Sequence, residues 1–304
     1  MRLLLVDGNY YVYRSFFAIR GLSNSKGEPT NAIYGFIKAV RKMISDLKPD
    51  LAAIAWDEGL PVHRMTLQPA YKQQRAEMPD EMRPQLQFLR KTMPLMGLAA
   101  IASPDTEADD WIASYTHLAS EEKVETVIAT NDKDIFQLVG PAVSIYSTNK
   151  ADLPESGEGF ALLGVNEVRR KWGVDPHQIA DILALTGDNS DNIPGVAGIG
   201  DKTAAKLVQE FGSVENIYNR LEGIPNEKLR EKLRTGKDLV LTNQKMVALV
   251  RDLKVPLPLK KLQIVPDYPE FIAALRGCEF KSLLAEVEKE AARAGSASNQ
   301  GELF

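Results

Sequence analysis

The sequence predicts an α/β protein, a mostly parallel sheet flanked by helices, followed by a second region that is helical throughout. Three observations predict it. Short runs apolar on both faces (LLLV, LAAIAW and TVIA) read as strands covered on both sides, as parallel sheets require. Longer stretches with helical periodicity alternate with those runs. After Gly164 the strand-like runs stop and every patterned stretch reads as helix.

In chain order, the apolar runs place strands at Leu3–Val6, Leu51–Trp56, Leu98–Ala102, Thr126–Ala129 and Val143–Tyr146. The helical patterns between them are Tyr11–Ile19, Ala32–Leu47, the proline-bounded Met82–Met96 and Ala108–Ala119. The second region holds helical patterns at Asn166–Trp172, Pro176–Thr186, Lys202–Phe211, Val214–Leu221, Glu227–Arg234 and Leu239–Val250. We therefore expect an α/β domain over 1–164, a helical region over 165–290 and a small, polar, flexible tail over 291–304.

Composition excludes several classes. The 304 residues are 44% hydrophobic and 26% charged, as in ordinary globular proteins with a real core. No apolar run approaches the about eighteen residues of a membrane span. The chain enters a strand-like run at once, which leaves no room for a signal peptide. A single cysteine, Cys278, excludes an internal disulfide and fits a reducing cytoplasm. Three scattered histidines and that cysteine cannot build an ordinary zinc site.

Nine carboxylates follow apolar runs in short clusters: Asp7; Asp57; Glu107, Asp109 and Asp110; Asp132 and Asp134; Asp188 and Asp191. In a parallel sheet ligands bind beyond the carboxyl ends of the strands, where Asp7, Asp57 and Asp132 fall. Clustered carboxylates repel one another unless multivalent cations neutralise them. Oxygen-only ligands suit Mg²⁺, with Mn²⁺ as a substitute, rather than Zn²⁺. Two such ions roughly 3.5–4 Å apart are the usual apparatus for cutting a phosphodiester. Singly, each acid has a bland reading: a helix N-terminus for Glu107, Asp109 and Asp110, turn chemistry for Asp132, Asp134, Asp188 and Asp191. Those readings explain poorly why the acids gather where a sheet presents its ligand.

Two further motifs concern nucleic acid. In PGVAGIGDKTAAKL, which begins with Pro194 and Gly195, the glycines Gly198 and Gly200 permit a tight hairpin, and Asp201, Lys202 and Thr203 open a helix whose amides can grip a phosphate oxygen. This resembles a helix–hairpin–helix. In AYKQQRAEMP, Tyr71 and Arg75 share a face if the segment is helical, with Lys72 beside them, which suits a single-strand clamp. The net charge of −4 is unusual for a nucleic-acid binder. Its distribution offsets that: residues 225–261 carry ten Lys/Arg against four Asp/Glu, and 62–91 carry six against three.

Together these stretches resemble the structure-specific 5′-nuclease (flap endonuclease) superfamily, and within it the N-terminal 5′→3′ exonuclease domain of bacterial DNA polymerase I. The matching segments run in order from LLLVDGNYYVYRSFFA through SKGEPTNAIYGF, AIAWDE, YKQQR, TEADDWIA, TNDKDIFQLV and LTGDNSDNIPGVAGIGDKTAAKL to CEFKSLL, over roughly residues 1–285. The resemblance implies a PIN-like or resolvase-like sheet. It makes Asp7, Asp57, Glu107, Asp109 and Asp110 ligands of one metal neighbourhood, and Asp132, Asp134, Asp188 and Asp191 those of a second. It implies that Arg14, Lys72 and Arg75 engage the scissile phosphate or a threaded strand, that Tyr71 stacks, and that residues from about 60 to 95 form a helical arch. The hairpin around Gly195–Lys202 then holds duplex. Asn131 and Trp56 stand where the family often has Gly and Phe, and neither change removes a ligand.

The implied reaction is hydrolysis of DNA at single-strand/duplex junctions, in primer removal and repair, with a 5′ flap as substrate and an RNA primer in duplex as a second one. The competing readings are a junction-binding module that does not cut and a related nuclease acting on RNA. No polymerase region follows, so the chain reads as a free-standing nuclease or as part of a longer protein. The terminal QGELF resembles a short bacterial sliding-clamp-binding peptide, with Gln300, Leu303 and Phe304 as its anchors. A monomer in the cytoplasm, at the nucleoid, is the expected state.

Overall fold

The structure, a computed structural model, describes residues 1–153 and 159–301. In chain order its elements are β1 (Arg2–Asp7), α1 (Gly8–Ala18), α2 (Asn31–Leu47), β2 (Leu51–Ala55), α3 (Val62–Leu67), α4 (Arg83–Thr92), β3 (Ala99–Ile101), α5 (Ala108–Glu121), β4 (Glu125–Ala129), β5 (Val143–Ser147) and β6 (Ala161–Leu163). There follow α6 (Val165–Trp172), α7 (Ile179–Thr186), β7 (Gly187–Asp188), β8 (Ile193–Pro194), α8 (Asp201–Phe211), α9 (Val214–Asn219), α10 (Glu227–Thr235), α11 (Lys237–Val247), α12 (Tyr268–Arg276) and α13 (Lys281–Gly301). Two units interleave along the chain, the first from Met1–Ala55, Met78–Ile101 and residues from Pro256 on, the second from Trp56–Glu77 and Ala102–Val255.

In the first unit β1, β2 and β3 run parallel, with Leu3 opposite Leu51 and Ala53 opposite Ala99. Every residue of β2 and the whole LLLV run of β1 are buried, which accounts for their lack of alternation. α2 buries Ile33, Phe36, Ile37, Val40, Met43 and Leu47, one face at 3.6-residue spacing. Thr30, its N-cap, makes no side-chain cap bond. Gln85 of α4 supplies it instead, its Oε1 accepting the Ala32 N–H at 2.8 Å and the Ile33 N–H at 3.3 Å.

In the second unit β4 and β5 are parallel and β6 is antiparallel to β5, with Ile145 opposite Leu163. α7 and α11 pack together, and the buried Asn243 of α11 donates to the carbonyls of Ala184 at 3.0 Å and Pro194 at 2.8 Å. A two-residue ribbon, β7–β8, sets Asp188 opposite Ile193. This corrects the expectation of no strands beyond Gly164, for two-residue strands leave no periodicity to read. The 3₁₀ turn Pro176–Gln178 precedes α7, and Met93–Met96 follows α4 in the same conformation. α12 and α13 carry no helix expectation, and α13 continues to Gly301 across most of the stretch read as a flexible tail. Its AEVEKEAARA run, residues 285–294, is rich in good helix formers and lies mostly ahead of that stretch. No helix among the described residues is long and apolar enough to cross a membrane.

Candidate metal centre

Eight of the nine selected carboxylates lie in the second unit; Asp7 lies in the first. Asp7 ends β1 and caps α1, accepting the Tyr10 N–H at 2.9 Å. In the second unit, Asp57 follows the apolar run ending in Trp56 and accepts the Ala108 N–H at 2.8 Å, so it braces the first turn of α5. Glu107 stands at the N-cap of α5, with Asp109 and Asp110 in its first turn. Asp132 and Asp134 follow β4, where the Asp134 N–H donates to the Asp132 Oδ1 at 2.9 Å. Asp188 closes β7 and Asp191 ends the 3₁₀ turn after it.

Asp134, Asp188 and Asp191 are all buried and offer carboxylate oxygens within 4.8 Å of one another. The Asp134 Oδ1 is buried with no hydrogen-bond partner. Burial, then Asp132, Asp188 and Asp191, push its carboxyl well above the usual range. Burial also raises Asp132. Burial would raise Asp188 too, but the Ser190 hydrogen bonds and Lys133, whose Nζ lies 3.0 Å from Oδ1, outweigh it and hold Asp188 low. An orphaned carboxyl oxygen beside two further hard oxygen donors fits a divalent cation.

The Glu107 side of the unit is organised by cations. Arg64 of α3, 3% exposed, uses all of its guanidinium. It forks onto the Asp110 oxygens at 2.8 and 2.8 Å, donates to Glu107, and donates to the carbonyls of Met246 at 3.1 Å and Ala248 at 3.0 Å. Asp110 also accepts the Val250 N–H at 3.0 Å. Both Asp110 oxygens thus accept from protein donors, and Asp110 holds Arg64 in place. Glu107 further accepts from Lys72 and from the Tyr71 hydroxyl at 3.1 Å. Burial would lower the Lys72 pKa, but Glu107 and Asp191 outweigh it and the ammonium stays charged.

Tyr71, Lys72 and Arg75 do converge on the acids, though by turns, not the helix considered for them: Lys72 has φ 55. The Lys72 N–H donates to the Asp191 carbonyl at 3.0 Å, and Asn192 donates to the Ala70 carbonyl at 2.6 Å. The Tyr71 hydroxyl lies 3.1 Å from Asp191 Oδ2, and Arg75 donates to Asp191 Oδ1 at 2.6 Å. Tyr71 is only 3% exposed, with its hydroxyl turned onto Glu107 and Asp191.

Elsewhere, Arg14 is exposed on α1, its guanidinium 5.7 Å from the Tyr11 ring centre. Gly195 packs in the ribbon, where a side chain would strike the Thr186 carbonyl. Gly198 (φ 74) is exposed in the hairpin, Gly200 caps α8, and Lys202 and Thr203 lie in the first turn of α8. Of the clamp-peptide anchors, Leu303 and Phe304 lie outside the described residues, as does the Gln300 side chain. Sequence reasoning missed Arg64, Lys133 and Ser190. Arg64 is a lone cation in VHRMTL with no pattern around it, whereas Lys133 and Ser190 sit inside the acidic motifs and could have been found as their counter-charges.

Residues 2–173 match the family described as the 5′–3′ exonuclease, N-terminal resolvase-like domain, and residues 174–270 match its C-terminal SAM fold. A 5′–3′ exonuclease of Aquifex aeolicus is 38% identical over 288 residues, covering 94% of this chain and 95% of its own length. DNA polymerase I of Bacillus caldotenax is 36% identical over 291 residues, 94% of this chain but 32% of the polymerase. The chain thus spans about a third of the length of the polymerase relatives it matches. Among solved structures, a bacteriophage T5 D15 flap endonuclease complexed with DNA and metal ions superposes with TM-score 0.65 at 21% identity, covering 96% of this chain and 98% of that one. The catalytic core of Rad2 with DNA substrate gives TM-score 0.61 at 16% identity over 93% of this chain and 91% of that one. These two likenesses concern the fold.

Proposed function

The chain belongs to the 5′–3′ exonuclease family, and from that premise we propose that it is a divalent-metal-dependent nuclease that hydrolyses DNA where single strand meets duplex, taking a 5′ flap or a free 5′ end. The observation that carries this reading is the buried Asp134–Asp188–Asp191 cluster with its orphaned oxygen. Those three, with Asp132, would hold divalent cations, and Glu107, Asp57 and Asp109 are the further proposed ligands. Mg²⁺ suits such oxygen donors, with Mn²⁺ substituting. Divalent ions held there supply an acidified water and charge stabilisation at the attacked and leaving oxygens.

The chain's own groups complete the chemistry. Lys72 and Arg75, now engaged with Glu107 and Asp191, are the donors for non-bridging oxygens of the scissile phosphate. Lys72 stays protonated at neutral pH, so it acts as a fixed charge and not as a base. Arg64 orients Glu107, and Asp110 orients Arg64. The products are a 5′-phosphate and a 3′-hydroxyl. The hairpin from Gly195 to Lys202 grips duplex backbone, and the action belongs at the bacterial nucleoid.

A 5′-labelled flap incubated with Mg²⁺, with EDTA and with the Asp188→Asn variant tests this. We expect cleavage near the junction that requires both metal and Asp188 while DNA binding persists. Turnover by Asp188→Asn equal to that of the unaltered chain overturns the ligand assignment. The terminal QGELF we read as a sliding-clamp peptide on a short tether. Deleting residues 300–304 should abolish clamp binding, and binding that survives the deletion defeats that part of the reading.

A further inference from the structure

We propose that Lys232 of α10 is a second cationic phosphate contact of the 195–202 hairpin, working beside Lys202 on duplex DNA. The inference rests on the reading of that hairpin as a duplex grip. α10 carries four cations, Lys228, Arg230, Lys232 and Arg234. Its arginines are neutralised locally: Arg234 pairs with Glu222 at 2.5 Å and Glu231 at 2.5 Å, and Arg230 lies 3.5 Å from Glu222 and donates to the Ile224 carbonyl at 3.1 Å. Lys232 pairs with no carboxylate among the described residues. Its exposed Nζ instead lies over the hairpin, 3.4 Å from the Gly198 carbonyl.

The hairpin is shaped to receive it. Gly198 has φ 74, and a side chain there would overlap the Lys232 ammonium, so the missing Cβ serves both the backbone and the lysine. Leu233, fully buried, fixes α10 next to this position. At the end of the helix Gly236 meets Val196 of the hairpin so closely that a Cβ would lie 3.0 Å from the Val196 Cγ2. Lys232 is therefore held at the hairpin by packing on both sides. An ammonium has three N–H donors and only one is directed at Gly198. The other two are left for a ligand, and the exposed Gly198 and Gly200, whose amides have no acceptor among the described residues, and the exposed Lys202 belong to the same hairpin and the helix start it leads into. An ammonium held against the hairpin, amides without acceptors and a second exposed lysine in the helix turn that follows suit an anionic, sequence-independent ligand, the phosphate backbone.

The test uses the full chain and a blunt 20-base-pair-scale duplex without a flap, with dissociation constants measured across a salt series for Lys232→Gln, Lys202→Gln and Lys232→Arg. Removing one phosphate contact should lower the slope of log K against log salt by about 0.9 and weaken binding several-fold, in Lys232→Gln and Lys202→Gln alike. Lys232→Arg should restore both, and melting temperatures should stay level. An unchanged slope for Lys232→Gln, with or without a fall in melting temperature, overturns the proposal and makes the lysine a structural cap on Gly198. If Lys202→Gln also leaves the slope unchanged, the hairpin reading itself falls; if it alone lowers the slope, only the role of Lys232 does.

Discussion

Asp134 concentrates the conflict that a divalent cation relieves. Its buried Oδ1 lacks a partner, and burial together with Asp132, Asp188 and Asp191 raises its pKa well above the ordinary carboxylate value. The sign of the pH effect follows. Between the unfolded value of about 3.9 and the raised folded value, the folded chain binds more protons than the unfolded one, so metal-free stability falls as pH rises through that window. Asp134→Asn removes the charge. In EDTA at pH 7 we expect it to gain about 1–3 kcal/mol, to flatten the decline with pH, and to lose most of the Mg²⁺-dependent rise in melting temperature. Thermal melts from pH 5 to 8 with EDTA or Mg²⁺ check this, and a variant less stable than the unaltered chain in EDTA contradicts it. Arg64 presents the opposite case, a buried cation whose every donor is satisfied. Arg64→Met leaves buried Asp110 without its cation and Glu107 with Lys72 alone, and should cost about 3–5 kcal/mol in denaturant unfolding. Arg64→Lys keeps the charge but not the fork, and should recover only part of that loss.

At the scale of elements, the β7–β8 ribbon carries most of the burden of presentation. Gly187 has φ 71, and a side chain on it would run into the Ile193 carbonyl, as one on Gly195 would into the Thr186 carbonyl. Both obstacles are backbone, which no rotamer change removes. Gly195→Ala should therefore part the ribbon, cost about 1–3 kcal/mol, and blunt the Mg²⁺-dependent stabilisation by shifting Asp188 and Asp191. Loss of stability with full metal response would show that the ribbon does not position the ligands. This element was invisible in the sequence, since a two-residue strand has no period. The apolar runs of β1, β2 and β4 and the single buried face of α2 were legible because each repeats its signal over several residues. The acids were legible for a related reason: most of them closely follow a strand or open a helix, as Asp7, Asp188 and Glu107 to Asp110 do. Tyr71, Lys72 and Arg75 were legible as chemistry but not as geometry, because backbone bonds to the 189–192 turn, and not helical periodicity, set their directions.

At the scale of the whole molecule, the net charge of −4 and the proposed nucleic-acid substrate pull against each other, and the acids of the centre decide the balance. Basic stretches at 62–91 and 225–261 attract phosphate, while uncompensated carboxylates repel it wherever the backbone passes close. Arg64 and Lys72 answer Glu107 and Asp110, and Lys133 and Arg75 answer Asp188 and Asp191, so the repulsion among the acids is least relieved at Asp134. Bound cations should therefore strengthen DNA binding as well as permit cutting. In EDTA, flap affinity should fall, and Asp134→Asn or Asp188→Asn should bind the flap more tightly than the unaltered chain, by about two- to tenfold at low salt. That advantage should shrink as salt screens the acids, with a Debye length of about 8 Å at physiological ionic strength. Fluorescence anisotropy with a labelled flap, in EDTA across a salt series, measures this directly. Equal affinity of all three proteins at every salt concentration would mean that the phosphate backbone never nears the acidic cluster, and the cluster could not then be where the strand is cut.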